Sequence, residues 1–275
     1  MGMTVTKIEW VARPELQMKG FSWNPITGCY NGCDYCYARR IAMRFQPGAT
    51  LADDCTQSFF GTPKKGYGCH EIRYTRGASV DAWRYGFTPT FHSHRLMDPI
   101  YRKKPSAIFV CSMGDIFTDG VPMIFVERIL DTMIDCPQHM FFMLTKQPYH
   151  GYMKYTDRIE KLKALGNTWF GVTVTRQSDV WRMSYLPSDA KTFVSVEPMQ
   201  GPVDWSKIDC PKPNWVIIGA KTLEGRRTEQ PELEWVGQLV TQCVDQQIPV
   251  FAKNNLEWPN RYFDYNLPEL KQLPV

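Results

Sequence analysis

Short apolar runs alternate with amphipathic stretches from about residue 106 onward. The runs are rich in β-branched and aromatic residues and are nearly continuous in apolarity, which is typical of strands buried on both faces. They are AIFVCS (107–112), MFFMLTK (140–146), TWFGVTV (168–174), TFVSVEP (192–198), WVIIGA (215–220) and PVFAK (249–253). Another such run lies near residues 21–28. We therefore expect at least seven strands, enough for a barrel or a partial barrel.

Helical periodicity marks the segments between these runs. Residues 121–134 carry Pro122 near their start, where proline is tolerated, and residues 157–165 are followed by the helix-stopping Gly166. Residues 233–244 place their apolar positions on one face, whereas residues 178–186 show a weaker pattern. Alternating strands and helices predict βαβ units, and therefore the α/β class with a parallel sheet.

Residues 46–105 lack a clear period and hold several glycines and prolines. We interpret them as a long irregular insertion after a first helix at residues 38–45, within a single domain that spans residues 1–275. Loops of this length are usually functional or mobile.

Composition narrows the class of protein. Hydrophobic residues make up 43% of the 275 residues and charged residues 22%, so a sizeable core can form and global disorder is excluded. No apolar run approaches the roughly 18 residues that span a bilayer, and the N-terminal segment lacks a signal-peptide pattern. We expect a cytoplasmic protein without a membrane partner. The net charge of +4 permits a nucleic-acid partner without arguing for one.

The nine cysteines favour reduced thiols or metal ligation, because an odd number cannot pair completely into disulfides. Cys29, Cys33 and Cys36 form a C-x3-C-x2-C cluster. Three unrelated buried thiols, a zinc site with a fourth ligand, or an iron–sulfur cluster with one open iron all fit this spacing. The fourth zinc ligand would come from Cys55, Cys69 or His70; alternatively, these three residues would hold a second metal.

The cluster resembles the signature of the radical S-adenosylmethionine (SAM) enzymes, because an aromatic residue, Tyr35, precedes the last cysteine. Over nearly the whole chain, further motifs are similar to a phage- and prophage-associated family with three cysteines and unknown function. They are WNPITGC (23–29), FVCSMGDIF (109–117), LTK (144–146), SVEP (195–198) and GPVD (201–204). A more distant similarity is to the spore photoproduct lyase branch.

This resemblance implies a partial (β/α)6 TIM-like barrel with the cysteines on the loop after the first strand. Cys29, Cys33 and Cys36 would hold a 4Fe–4S cluster whose fourth iron chelates the amino and carboxylate groups of SAM. An electron from a reductant such as flavodoxin or ferredoxin would then cleave SAM to methionine and a 5′-deoxyadenosyl radical.

Polar residues at the strand ends are the candidate SAM-binding groups, since barrel sites lie at the carboxyl ends of strands. Ser112, Gly114 and Asp115 would receive the methionine amino group, although Asp115 also suits a helix cap. Lys146 suits the SAM carboxylate or a substrate phosphate, and equally suits a solvated strand end.

Further along the chain, Ser195 and Glu197 would bind ribose hydroxyls; otherwise Glu197 pairs with Lys146 or Lys221. Lys253 has the same two interpretations, and Tyr35 would pack near the cluster and the adenine.

The chain departs from the family pattern in two places, and Cys111 has a candidate role of its own. The family usually has Gly-Gly-Glu-Ser where this chain has GAKT (219–222), so Lys221 replaces an acidic residue and no role carries over to it. Many family members also place more residues between the first two cysteines. Cys111 lies shortly before Asp115 and Ile116, as the hydrogen-donating cysteine of spore photoproduct lyases lies before an Asp-Ile pair. A buried, inert thiol is the alternative for Cys111.

Three classes of function remain open. The first is radical modification or repair of a nucleic acid or nucleotide, consistent with basic and aromatic residues in the insertion. These are Lys64, Lys65, Arg73, Arg76, Arg84, His92, His94, Arg95, Arg102, Lys103 and Lys104, interleaved with Tyr67, Tyr74, Trp83 and Tyr85. The second class is radical modification of a small molecule or peptide, and the third is a non-enzymatic iron–sulfur or zinc protein.

Overall fold

The computed structural model describes residues 3–45, 69–72, 83–223, 228–257 and 271–274. These residues form a mixed α/β structure in which most neighbouring strands are parallel. The chain divides into two compact units, Met1–Thr168 and Trp169–Val275.

The first unit contains two sheets. The larger has the order β1 (Met3–Val5), β2 (Lys19–Trp23), β6 (Ser106–Val110) and β7 (Met140–Thr145), with β1 antiparallel and the others parallel. The smaller has the order β3 (Ile26–Thr27), β5 (Thr90–His92) and β4 (His70–Ile72). The parallel strands β2, β6 and β7 end together, so the residues after Trp23, Val110 and Thr145 share one edge.

Helices flank the strands of this unit. They are α1 (Tyr37–Phe45), α2 (Asp98–Tyr101), α3 (Met123–Ile134), α4 (Pro148–Tyr152) and α5 (Thr156–Leu165). α3 buries Phe125, Ile129 and Leu130, the apolar face that its sequence pattern predicts. α5 ends at Gly166, which has a positive φ of 66°, as predicted for a C-terminal stop.

The second unit has a parallel sheet in the order β8 (Thr168–Thr173), β9 (Lys191–Val196), β10 (Trp215–Ile218) and β13 (Val250–Ala252). A short antiparallel hairpin joins β11 (Lys221–Thr222) to β12 (Thr228–Glu229). Helix α6 (Leu233–Asp245) buries Val236, Leu239 and Val240. Every residue of β9 except Lys191, and every residue of β10 and β13, is buried.

The predicted parallel strands and the helices α1, α3, α5 and α6 are confirmed. Two expectations differ from the structure. Residues Gln177–Tyr185 form 3-10 helix rather than α-helix. The described part of the range 46–105 contains β4, β5, α2 and a 3-10 turn at Ser93–Arg95, which the sequence did not indicate because elements of three or four residues are too short to show a period.

Among the described residues, no helix has the length and apolarity needed to cross a membrane.

His92 is a buried titratable group in the smaller sheet of the first unit. It is fully buried, its backbone N–H donates to Pro25 O at 2.7 Å, and its Nε2 lies 2.9 Å from Thr27 Oγ1. Burial, together with the nearby charges of Arg95 and His94, lowers the pKa of His92 to about 2. The folded protein therefore keeps this imidazole neutral.

The stability of the chain is expected to fall below pH 6.5, in part because of His92. The unfolded chain binds a proton on this imidazole near pH 6.5, whereas the folded chain does not. Below pH 6.5 the free energy of unfolding therefore decreases by up to about 1.4 kcal/mol for each unit by which the pH falls. Replacing His92→Gln should reduce the loss of unfolding free energy between pH 7 and pH 5 by about 2 kcal/mol. Urea titrations at both pH values measure this loss. His150→Gln, at a side chain 43% exposed, is the control; an unchanged pH dependence in His92→Gln would contradict the assignment.

Candidate functional site: a three-cysteine loop

The segment of residues 28–36, which we call the cysteine loop, connects β3 to α1. It carries the three predicted metal ligands Cys29, Cys33 and Cys36, all of them half-buried and none in a disulfide. The loop contacts the residues that follow β6 and β7, so the chain places it at the carboxyl edge of the parallel strands of the first unit.

The loop begins at a close approach of two backbones. Gly28 N–H donates to Met113 O at 2.9 Å, and Gly28 and Gly114 form a parallel bridge. Gly28 has a φ of 79°, and a Cβ on it would lie 2.4 Å from Phe87 O. A Cβ on Gly114 would lie 2.7 Å from Gly28 O. Gly114, a predicted SAM-binding residue, thus has a structural requirement of its own: only glycine lets the loop start here.

Asp115, the second predicted residue in this turn, is buried and accepts four hydrogen-bond donors. Its Oδ2 accepts from Asn31 Nδ2 and from Lys146 N, both at 2.9 Å. Its Oδ1 accepts from Phe117 N at 3.1 Å, and Thr145 Oγ1 lies 2.9 and 3.0 Å from the two oxygens. The carboxylate is therefore satisfied by the protein itself, and the Phe117 bond is the local backbone contact that a capping aspartate makes.

Ser112 is also engaged by the protein. Its hydroxyl donates to Asn24 Oδ1 at 3.2 Å, and the same oxygen accepts from Met113 N at 3.0 Å. The hydroxyl of Tyr37, the first residue of α1, donates to Ser112 O. The turn after β6 is thereby joined to the turn after β2 and to the helix after the cysteine loop.

Lys146 and Tyr35 lie together beside the last cysteine. Lys146 Nζ is 5.6 Å from the centroid of the Tyr35 ring. Burial raises the pKa of the Cys36 thiol, and the positive charge of Lys146 opposes part of that rise. Within the part of the chain that the structure describes, Lys146 forms no salt bridge. A half-buried ammonium of this kind is suited to an anionic group of a ligand.

The thiols of the loop are close enough to influence one another. The pKa of Cys29 is raised to about 12, mainly by burial and also by the charges of Asp115, Cys36 and Cys33, while a hydrogen bond from the Asn31 backbone opposes the rise. Burial also raises the pKa of Cys36, while the N–H of Arg39, 3.4 Å from Cys36 Sγ, opposes that rise. The thiols of Cys29 and Cys36 are therefore neutral at pH 7 without a cation, and their binding as thiolates requires a positive centre beside them.

The donor chemistry of the loop fits a cluster held by three thiolates. Sulfur donors favour iron–sulfur clusters and zinc, and a helix-start N–H directed at Cys36 Sγ supports its thiolate. Among the described residues, no three His, Cys, Asp or Glu side chains already converge in metal-binding geometry. The three sulfurs would have to close around the cluster as it binds.

The predicted second metal site is not assembled in the described residues. Cys69 is buried with its Sγ 3.5 Å from His70 O, and the His70 ring stacks on Tyr85 with a centroid distance of 3.7 Å. Cys55 lies outside the described residues.

Cys111 occupies the first position after β6 with a positive φ of 56°. Its N–H donates to Trp23 O at 2.8 Å, and its buried thiol has a pKa raised by burial. The hydrogen-donor role of Cys111 stays a prediction.

The candidate residues of the second unit lie at the carboxyl ends of its own strands. Glu197 forms an ion pair with Lys253, and a Cβ on Gly219 would lie 3.2 Å from Glu197 Cγ. Lys221 pairs instead with Glu229 at 3.1 Å. The expected structural partner of Glu197, Lys146 or Lys221, was therefore wrong: Gly219, at the end of β10, lies against both Glu197 and Lys253, and its lack of a side chain leaves room for these two to meet. Ser195 is buried within β9.

The basic and aromatic residues expected in the insertion do not all reach the surface. Trp83, His92 and Arg95 are buried, and Arg102 lies 3.8 Å above the Phe21 ring. Arg84, Lys103 and Lys104 are exposed. Lys64, Lys65, Tyr67, Arg73, Tyr74 and Arg76 lie outside the described residues.

Sequence reasoning missed the polar residues that hold the cysteine loop. They are Asn24, Asn31, Thr118, Thr145 and Gln147. Position was the available signal: Asn31 stands between the first two cysteines, and Thr145 and Gln147 flank the candidate Lys146 at the end of a strand.

The fold and the loop together define an α/β protein with a three-cysteine loop at the carboxyl edge of parallel strands. A family profile described as "Protein of unknown function (DUF5131)" matches residues 5–266, and the chain belongs to this family. No match was found among curated proteins or among solved structures.

Gly28→Ala is expected to destabilise the protein more than Gly166→Ala. Both glycines have positive φ, which costs an alanine roughly 1 kcal/mol. A Cβ at Gly166 meets nothing within 4 Å, whereas at Gly28 it would overlap the Phe87 carbonyl. We expect an additional loss of about 1–3 kcal/mol in Gly28→Ala, measured by urea denaturation. Equal losses of unfolding free energy in the two variants would show that the Phe87 carbonyl does not restrict the space at Gly28.

Proposed function

We propose that this protein is a radical SAM enzyme in which Cys29, Cys33 and Cys36 hold a 4Fe–4S cluster on a partial (β/α)6 TIM-like barrel. The observation that carries the proposal is the anchoring of the C-x3-C-x2-C loop, through Gly28 and Asn31, to the carboxyl edge of β2, β6 and β7. Parallel α/β folds place their active sites at this edge.

The chemistry that such a cluster supplies, with SAM on its open iron and an electron from a flavodoxin- or ferredoxin-type reductant, is cleavage of SAM to methionine and a 5′-deoxyadenosyl radical. The residues of this chain bind and orient the ligand. Lys146 supplies the charge for the SAM carboxylate, and Tyr35 offers its ring to the adenine. Ser112 and Gly114 form the turn for the amino group, while Asp115 holds the backbone of that turn.

In the second unit, Ser195 and Glu197 are proposed to bind the ribose hydroxyls. Glu197 is paired with Lys253, yet a carboxylate has about four acceptor positions, so it can accept a hydroxyl without losing this pair. The pairing also stabilises a charge at the end of a buried strand.

For the substrate we propose a nucleic acid or nucleotide that undergoes modification or repair. Helix α1, which starts directly after Cys36, exposes Arg39 and Arg44 together with the aromatic rings of Tyr37 and Phe45. Cations for phosphates and rings for stacking on bases are the combination that single-stranded nucleic acids require. Their position beside the cysteine loop would bring such a substrate to the reacting centre. Modification of a small molecule or peptide, and a non-enzymatic role, are the alternatives that the experiments below separate.

The cysteine loop should load iron and support cleavage of SAM. Anaerobically reconstituted protein is expected to be brown, to hold four iron per chain, and to form 5′-deoxyadenosine with dithionite and SAM. Cys33→Ala should lose both properties, because one of three ligands is removed. Cys210→Ala, at a half-buried cysteine outside the loop, should keep both. A colourless, zinc-loaded protein that forms no 5′-deoxyadenosine would support the non-enzymatic alternative instead.

Binding to single-stranded DNA should depend on salt and on α1. The double change Arg39→Gln and Arg44→Gln is expected to weaken binding at low salt about tenfold and to reduce the slope of log K against log salt by about 0.7 per lost phosphate contact. Lys161→Gln with Lys207→Gln removes the same charge at exposed positions on α5 and in the second unit, and should change neither value. Fluorescence anisotropy measures both. Absence of binding at low salt would favour a small-molecule or peptide substrate.

A further inference from the structure

We infer that Asn31, Asp115 and Gln147 form a clamp that positions the cysteine loop for its cluster, an inference that rests on the proposed function. The Asn31 amide contacts both partners: Nδ2 donates to Asp115 Oδ2 at 2.9 Å, and Oδ1 accepts from Gln147 Nε2 at 3.0 Å. Both polar atoms of a side chain between the first two cysteines are thus used to hold the loop.

The clamp is fixed to the ends of two strands. Asp115 follows β6, and its carboxylate accepts from Thr145 Oγ1 and Lys146 N at the end of β7. Thr145 Oγ1 in turn accepts from Gln147 N at 2.8 Å. The hydrogen bonds therefore form closed rings in a partly buried site, where charge-assisted bonds are about twice as strong as neutral ones.

Hydrogen bonds anchor the first half of the loop from Gly28 to Asn31. Gly28 N–H binds Met113 O, and Tyr30 N–H binds Thr118 Oγ1 at 2.9 Å, so Cys29 is fixed on both sides. After Asn31 comes Gly32, with a φ of 67° and no atom nearer than 4.0 Å to a Cβ built on it. The position of Cys33 relative to a bound cluster therefore depends on where the hydrogen bonds of Asn31 hold the loop.

A direct role of Asp115 as a ligand for SAM fits this arrangement less well. Its oxygens already receive four protein donors, and a fifth group would have to displace one of them. A carboxylate beside three thiolates is also electrostatically unfavourable for cluster binding. Its place in the site is explained by the loop that it holds, so we describe Asp115 as a positioning residue.

The decisive variants compare two asparagines in the same unit. The Asn167 side chain also joins separate segments, with Nδ2 donating to the backbone His139 O at 3.0 Å, but it lies at the amino ends of the strands, opposite the cysteine loop. Asn31→Ala and Asn167→Ala each leave partners unsatisfied, so both should lower the melting temperature of the cluster-free protein. Asn31→Asp keeps the shape and places a second carboxylate 2.9 Å from Asp115.

The expected result is a selective loss of cluster loading. Asn31→Ala and Asn31→Asp should bind at least about threefold less iron and sulfide per chain than the original protein and give an altered electron paramagnetic resonance signal. Asn167→Ala should match the original protein in both measurements. If Asn31→Ala does not fold, Gln147→Ala removes the weaker arm of the clamp and is expected to show the same loss in smaller degree.

The clamp and the proposed function fail in different ways. Normal loading and an unchanged signal in the Asn31 variants, beside a loaded original protein, would overturn the clamp and leave the function standing. If the original protein takes up no iron, the proposed function fails. The clamp is then tested by alkylation of Cys33 in the cluster-free protein. The alkylation rate of Cys33, relative to that of Cys210, should rise in Asn31→Ala and stay unchanged in Asn167→Ala. An equal rate in all three proteins would overturn it.

Discussion

The candidate site of the first unit depends on the hydrogen bonds that the buried carboxylate of Asp115 accepts. A charged group in this position is costly unless donors surround it, and here they come from the cysteine loop, from its own turn and from the end of β7. The same bonds that stabilise the charge therefore join three segments that are far apart in sequence. This side chain therefore helps to set where the cysteines lie relative to the strands.

Steric constraint complements this electrostatic one. Gly28 and Gly114 let two backbones approach at the point where the loop leaves the small sheet, and neither tolerates a Cβ without displacement of a carbonyl. The loop is thus held by atoms that cannot move far at its start and by a polar network at Asn31. Beyond Gly32 the contacts are fewer, and the thiols have not converged on a metal geometry among the described residues. A loop that is anchored at residues 28–31 and has fewer contacts beyond Gly32 would allow its thiols to close around a metal cluster as the cluster binds.

The length of each element determined whether its sequence pattern was recognisable. Runs such as residues 140–146 and 215–220 were identified as strands because six or so buried apolar residues leave a clear signal. The strands of the small sheet have two or three residues and carry none, so the contact of β5 with β3 was unforeseen. Charge was equally hard to interpret from the sequence: Arg95 and His92 belong to a basic stretch yet are buried, His92 in the short strand β5 and Arg95 in the 3-10 turn that follows it.

The sequence by itself determined the α/β class, the parallel strands, the three candidate cysteine ligands and the glycine-containing turn after β6, since each depends on a local pattern or spacing. Only the tertiary structure decided which partners these residues have. Asp115 accepts hydrogen bonds from Asn31 and Thr145. Glu197 pairs with Lys253, and Lys146 lies beside Tyr35. The physical reason is that a hydrogen bond or an ion pair depends on distances of about 3 Å between side chains. Strand order and register set those distances, and neither can be read from the sequence positions of the residues themselves.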